Sequence, residues 1–338
     1  MANYPTRFDS LEDLARLPWF AVRDGRVVVS DPSVGTAIDT HTHLALSFVR
    51  PNQVDLHRGH AKTEHYLPAE RALDLDVYAN RNFTADDLRR MERDLSLGSL
   101  TAGGMRATHT IANLTREMGE LQVAQSVLLA IDLPALSDNA TTWLTAMRGD
   151  KRLIGFGSVH PWARDVEAKL DRQIALGARG IKVHPAVQLV RPDSGRAMRL
   201  YKLCGDRGIP VFWHCGPVDI EPPIGRYLSQ VRHYEKAIAE NPHTTFVLGH
   251  AGALQLDTAL GYAKRYPNVW LEVASQSLRS IRTLVAEAPA GRLMFGTDWP
   301  FYHQAIGLAK VFIATDGDDA MRRAVLRGNA ERLLGLDG

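Results

Sequence analysis

The sequence is poor in cysteine: 338 residues carry two, Cys204 and Cys215. Two thiols cannot build the disulfide framework that staples small secreted domains. The chain must rest on a packed core, and the expected compartment is the reducing cytoplasm. Long apolar runs are missing as well. No stretch approaches the roughly 18 apolar residues of a membrane span, and Met1 to Leu17 mixes charged with apolar residues instead of forming a signal-type segment. An excess of one charge is also absent. Lys and Arg number 40 against 38 Asp and Glu, a net +2 scattered along the chain, which leaves no electrostatic footprint for nucleic acid. Finally, the first strand-to-helix turn lacks the glycine pattern of a dinucleotide-binding fold. What is present is 45% hydrophobic and 23% charged sequence, enough for a large core.

That hydrophobic content is rhythmic. Phe20-Ala21-Val22 and Val27-Val28-Val29 flank Asp24-Gly25, which predicts a hairpin. A short amphipathic helix is expected over residues 9–17. From Ala37 onward eight apolar runs read as strands: 37–43, 126–131, 153–159, 180–185, 210–216, 245–252, 269–273 and 292–300. Helical patterns alternate with most of them, at 165–176, 196–206, 230–240, 254–266, 277–287 and 318–334. Strand and helix in alternation imply right-handed βαβ units on a parallel sheet, and eight of them imply a closed (β/α)8 TIM barrel of the α/β class. The expected organisation is an N-terminal extension over 1–35, carrying the hairpin, and one barrel domain over 36–338. A long insertion, 44–118, follows strand 1 and should lie near the active-site face. Within it Thr84, with Asp87 three residues on, should cap a helix to about Leu97, and a second helix should run from Ile111 to Leu121. His57, His60 and His65 read as solvated loop residues.

The chemistry gathers at the strand ends. Strand 1 closes on His41 and His43, two residues apart and therefore on one face, where two imidazoles can share a metal ion. Strand 4 contributes Lys182 and His184, strand 5 His214, strand 6 His250 and strand 8 Asp298. In a barrel these ends converge on one face. Burying so many polar groups is costly unless something pairs them, and a divalent ion would. Cys215 alternates away from His214 and reads as buried and inert. Trp213, Trp270 and Trp299 read as packing, with Trp299 also placed to line the pocket. Glu272 ends strand 7 and reads as a surface or supporting residue.

Five motifs carry a resemblance. They are Ile38-Asp39-Thr40-His41-Thr42-His43, Gly180-Ile181-Lys182-Val183-His184-Pro185, His214-Cys215-Gly216, Gly249-His250-Ala251-Gly252 and Gly296-Thr297-Asp298-Trp299-Pro300. With the ending Gly328-Asn329-Ala330-Glu331-Arg332-Leu333-Leu334, the chain from residue 36 onward resembles the amidohydrolase superfamily of metal-dependent TIM barrels. The likeness is to the branch that includes aminocarboxymuconate-semialdehyde decarboxylase. It implies a catalytic metal on His41, His43, His214 and Asp298. Zinc suits that set best, manganese or iron less well. It further implies that Asp298 takes a proton from the attacking water and that His250 orients the water or protonates the leaving group. Lys182, His184 and Trp299 would stand around the metal or the substrate. One ion is favoured; a two-ion site bridged by a carboxylated Lys182 stays open. The superfamily's nucleases carry a glutamate at the strand-4 position, which this chain lacks. The expected partner is therefore a small molecule, with no nucleic acid and no membrane; a homo-oligomer stays open. Hydrolysis of an amide, lactone or ester leads. Non-oxidative decarboxylation or hydration of a carboxylated substrate is the alternative, with Arg50, Arg58 or Arg106 as the anchor it would need.

Overall fold

The apolar runs counted from Ala37 become eight parallel strands in a computed structural model that describes residues 3–336. They are β1 (Ala37–Thr42), β2 (Val123–Leu129), β3 (Leu153–Phe156), β4 (Ile181–Val183), β5 (Val211–His214), β6 (Phe246–Gly249), β7 (Val269–Glu272) and β8 (Leu293–Met294). β1 to β3 form one sheet and β4 to β8 another, both in chain order. Parallel bridges join their edges, Gly157 to Ile181 on one side and Thr42 to Trp299 on the other. Backbone hydrogen bonds from Lys182 N to Gly157 O (2.8 Å) and from His43 N to Trp299 O (2.7 Å) reinforce these two seams. Every strand thus has a neighbour on each side, as a TIM barrel requires.

Strand alternation sorts the core into two layers. Val127, Leu129, Ile154, Phe156, Phe212, Val247 and Met294 form an inner cluster with Ile38, sealed by Ala330 and Leu334 of the last helix. The residues between them, such as Leu128, Val211, Trp213 and Leu248, pack outward into the main core. β1 breaks the alternation. Its pairing with β2 shifts register between Ala37 and Ile38 and again between Asp39 and Thr42. The irregularity turns His41 to the same side as Ile38, with its ring 5.1 Å from that of Phe212. Bulges next to active sites re-aim side chains in this way.

The hairpin forms as expected, Phe20–Arg23 against Arg26–Val29, with Asp24 and Gly25 at φ 51° and 69° in the turn. The expected helix at 9–17 is a short 3-10 turn, Glu12–Arg16. The pattern at 230–240 splits into a 3-10 turn, Val231–His233, and a helix, Glu235–Glu240. The pattern at 254–266 becomes helical only from Leu256, because Ala251, Gly252 and Ala253 all have positive φ. No helix among the described residues is long and apolar enough to cross a membrane.

The insertion docks on the ends of β7 and β8. Tyr66 N and Leu67 N donate to Pro300 O and Phe301 O, and Ala79 N donates to Ser275 O. Thr84 caps the helix Ala85–Leu95 through a full capping box with Asp87. The buried Asp87 also takes two hydrogen bonds from Arg71, at 2.8 and 3.0 Å. Burial alone would raise the Asp87 carboxyl, but Arg71 and Thr84 overcome it and hold it at about 2. The folded-state value thus lies below the unfolded one. The stability it contributes is complete above pH about 4 and is lost as the pH falls toward 2. Asp87→Asn is expected to cost about 2 kcal/mol at pH 7. In thermal melts its deficit against the parent should narrow at pH 3; an equal deficit at both pH values would contradict the assignment.

Candidate metal centre

Strand ends bring the polar residues to one face. His41 Nε2, His43 Nε2 and Asp298 Oδ1 converge, with Asp298 Oδ1 3.2 Å from His43 and 3.6 Å from His41. These three residues offer ligand atoms that all lie within 4.8 Å of one another. Asp298 is placed by its own backbone, whose N–H donates to His41 O at 2.8 Å. Asp298 and His250 both adopt left-handed backbone, at φ 65° and 57°, a conformation that non-glycine residues keep only where the surroundings impose it.

Each histidine has its far nitrogen committed. His43 Nδ1 donates to Leu129 O (2.7 Å) and His250 Nδ1 to Ala274 O (3.2 Å). His41 Nδ1 meets Glu272 Oε2 at 2.8 Å. Glu272 is wholly buried and also accepts the N–H groups of His250 and Ala274. Burial pushes it up to about 8 against those hydrogen bonds. A histidine whose outer nitrogen is fixed in this way presents Nε2 to a metal with the right tautomer and orientation. Burial also holds His41 well below the ordinary imidazole range and His250 at about 4. Both rings are thus neutral, the form that ligates.

His214 stands apart from this set. Its ring stacks on His184 at 4.0 Å and lies 4.8 Å from the ring of His250. Its buried Nε2 has no hydrogen-bond partner. His184 caps the helix Pro185–Gln188, Nδ1 accepting from Val187 N. Lys182 is buried between His41 Nε2, 3.3 Å away, and the face of Phe212, 4.7 Å away. Burial lowers its ammonium to about 7, while Asp298 and Glu272 pull the other way.

The chemistry of this donor set, neutral imidazoles converging beside a carboxylate, fits a divalent ion. The family model for amidohydrolases matches residues 38–336. The chain belongs to the amidohydrolase family. It is an enzyme, and the family generally uses a divalent metal, for which the clusters of His, Glu and Asp supply candidate ligands.

Solved structures agree in fold. An uncharacterized TIM-barrel protein from Bordetella bronchiseptica is 21% identical, with 89% of this chain and 99% of that one covered at a TM-score of 0.62. A candidate 2-pyrone-4,6-dicarboxylic acid hydrolase from Pseudomonas putida is 18% identical, with coverages of 90% and 98% and a TM-score of 0.56. A 2,6-dihydroxybenzoate decarboxylase from Rhizobium is 17% identical, with coverages of 89% and 100% and a TM-score of 0.52. No curated protein matches the chain.

Against this amidohydrolase frame, several residues depart from the sequence reading. His65 is buried, not solvated. It joins Glu117 (3.1 Å) and, at 3.9 Å from the same carboxylate oxygen, His303. Trp299 is fully buried and donates its indole N–H to Glu117 at 2.8 Å, and Thr63 adds a third donor. Burial would raise Glu117, but His65, His303 and these hydrogen bonds hold it below the carboxylate range. The cluster has the residue types of a second metal site. However, His303 Nδ1 accepts the N–H of Ala305, so its proton sits on Nε2 and that nitrogen has no lone pair for a metal. The cluster is a buried anion collecting N–H and O–H donors, which ties the insertion to the end of β8. Arg106 is equally committed. It is buried and donates to the carbonyls of Leu46, Gly98 and Thr101. Asp39 was also missed, although it shares the alternation of His41 and His43. It accepts from His41 N, Thr297 N and Gln304 Nε2, clamping β1 to the loop after β8.

Gly296 marks how close this packing is. A Cβ there would run into the Glu272 carboxylate and sit 2.8 Å from His41 Cβ. Gly296→Ala should therefore displace the Glu272–His41 pair and weaken zinc binding at least about tenfold, the scale of a disturbed supporting residue. A zinc titration of the variant checks this, and unchanged affinity would contradict it.

Proposed function

We propose that the protein is a metal-dependent hydrolase of a small amide, lactone or ester. His41, His43, His214 and Asp298 hold one divalent ion, zinc by the chemistry of the set. The observation that carries this reading is the convergence of His41, His43 and Asp298, with the outer nitrogens of both histidines already fixed by Glu272 and Leu129 O. When bound, the ion supplies Lewis acidity and an activated water. The chain's own residues do the rest. Asp298 accepts the proton of the attacking water. His250, neutral and held through Nδ1, orients the water with its Nε2 lone pair, then takes up the proton that Asp298 received and hands it to the leaving group. Glu272 keeps His41 in register. Lys182 stays an amine next to His41.

Decarboxylation is the second reading. Lys182 is the observation that favours it, a buried amine able to meet a substrate carboxylate. The arginine anchors weigh against it. Arg106 is spent on carbonyls, Arg50 donates to Leu100 O, and Arg58 is exposed. The division into an N-terminal extension, 1–35, and a single barrel domain, 36–338, belongs to this proposal, as does a cytoplasmic home for its two buried free thiols.

Zinc-loaded protein should be screened against lactones, amides, esters and aromatic carboxylates, with a CO₂ readout alongside. The proposal expects hydrolysis without CO₂, lost to a chelator and restored by zinc. Hydrolysis that survived complete metal removal would overturn the mechanism, and CO₂ release would transfer the assignment to the lyase reading.

A further inference from the structure

Of the four histidines at the centre, three have their outer nitrogen held by a carbonyl or a carboxylate, and His214 does not. Its Nε2 is buried without a partner and points toward Glu221, whose Oε1 is 4.0 Å away. Both side chains are more than nine-tenths buried, at 8% exposure each. Glu221 is itself incomplete. It accepts Val218 N at 2.8 Å, and its Oε2 has no hydrogen-bond partner. A buried imidazole nitrogen with no partner, beside a buried carboxylate that still has acceptor capacity to spare, costs free energy for as long as the two stay apart. A shift of about 1 Å brings them into hydrogen-bond range.

Glu221 lies in the loop between β5 and the short helix Pro223–Leu228. The insertion steadies that loop: Asn80 donates to Val218 O, and Arg81 pairs with Asp219 at 3.0 Å. The loop therefore has a fixed seat from which a carboxylate can meet the ring.

We propose that Glu221 is the positioning residue of His214. It accepts the Nε2 proton, fixes the tautomer and leaves Nδ1 as the ligating nitrogen. This gives His214 the same carboxylate-to-imidazole support that Glu272 gives His41. The inference rests on the metal site proposed above.

The test is zinc titration of the full chain, first stripped of metal, by competition with a chromophoric chelator. Glu221→Ala should weaken zinc about 10- to 100-fold, the usual effect of losing such a partner. Glu221→Gln keeps an acceptor oxygen but not the charge and should fall between Ala and the parent. Ile220→Ala, at an exposed position in the same loop, should bind zinc like the parent. The thermal midpoint of metal-free Glu221→Gln should match that of the metal-free parent, which separates positioning from a folding defect. Zinc affinity of Glu221→Ala within about threefold of the parent would overturn the inference and leave the metal site standing. An equal loss in Ile220→Ala would also overturn it, since the effect would then belong to the loop. A parent chain that binds no zinc would overturn the metal site itself, and this inference with it.

Discussion

Asp298→Asn is expected to lower turnover at least about 10²-fold, the scale of a lost general base, and saturating zinc is expected not to restore it. The amide keeps the shape of the side chain and one oxygen facing His43. It loses the negative charge and the atom that can hold a proton. Its backbone anchor, the N–H on His41 O at 2.8 Å, is untouched, so the loop after β8 should stay in place. Zinc should bind more weakly, because a neutral amide is a poorer ligand than a carboxylate. Raising the zinc concentration separates the two roles. If excess zinc returned the variant to near the parent's turnover, Asp298 would be a ligand alone and the proton would travel by another route.

His41→Ala is expected to lower zinc affinity at least about 10²-fold, more than the loss of any supporting residue. Two effects combine. One ligand disappears from the proposed set of four, and Glu272 loses its 2.8 Å partner while staying wholly buried. Glu272 keeps the N–H groups of His250 and Ala274 but loses its third partner, a loss of about 1 kcal/mol, so the metal-free variant should also melt earlier than the parent. His43→Ala should lose zinc to a similar degree with a smaller drop in melting temperature, because its outer nitrogen serves only the Leu129 carbonyl. Zinc titration and metal-free melts of both variants check this. Parent-like zinc affinity in His41→Ala would remove it from the ligand set.

The barrel, and the residues that make up the candidate site, stood out in the sequence for the same reason. Buried parallel strands are continuous apolar runs, and polar residues ending such runs stand out against them. His41, His43, Lys182, His214, His250 and Asp298 could be picked out this way without any contact information. What escaped was of two kinds. The helix Gln304–Ala314 is buried nearly all round, so it has no polar stripe to mark its period. The supporting network escaped because its partners are far apart in the chain. Glu117 meets Trp299 across 182 positions, and Asp39 meets Gln304 across 265. His65 looked solvated because the residues that bury it come from the end of β8 and from the helix Ile111–Glu120, and no local pattern announces either. Glu221 sits in a proline-rich loop and carries no periodic signal at all.

The most direct test of the metal assignment is anomalous diffraction at the zinc edge from crystals of the full chain grown with zinc. The account predicts one strong peak among His41, His43, His214 and Asp298, with density at Lys182 ending at its amine. Two peaks bridged at a carboxylated Lys182, a peak at His65, Glu117 and His303 instead, or no peak between β1 and β8 would contradict it.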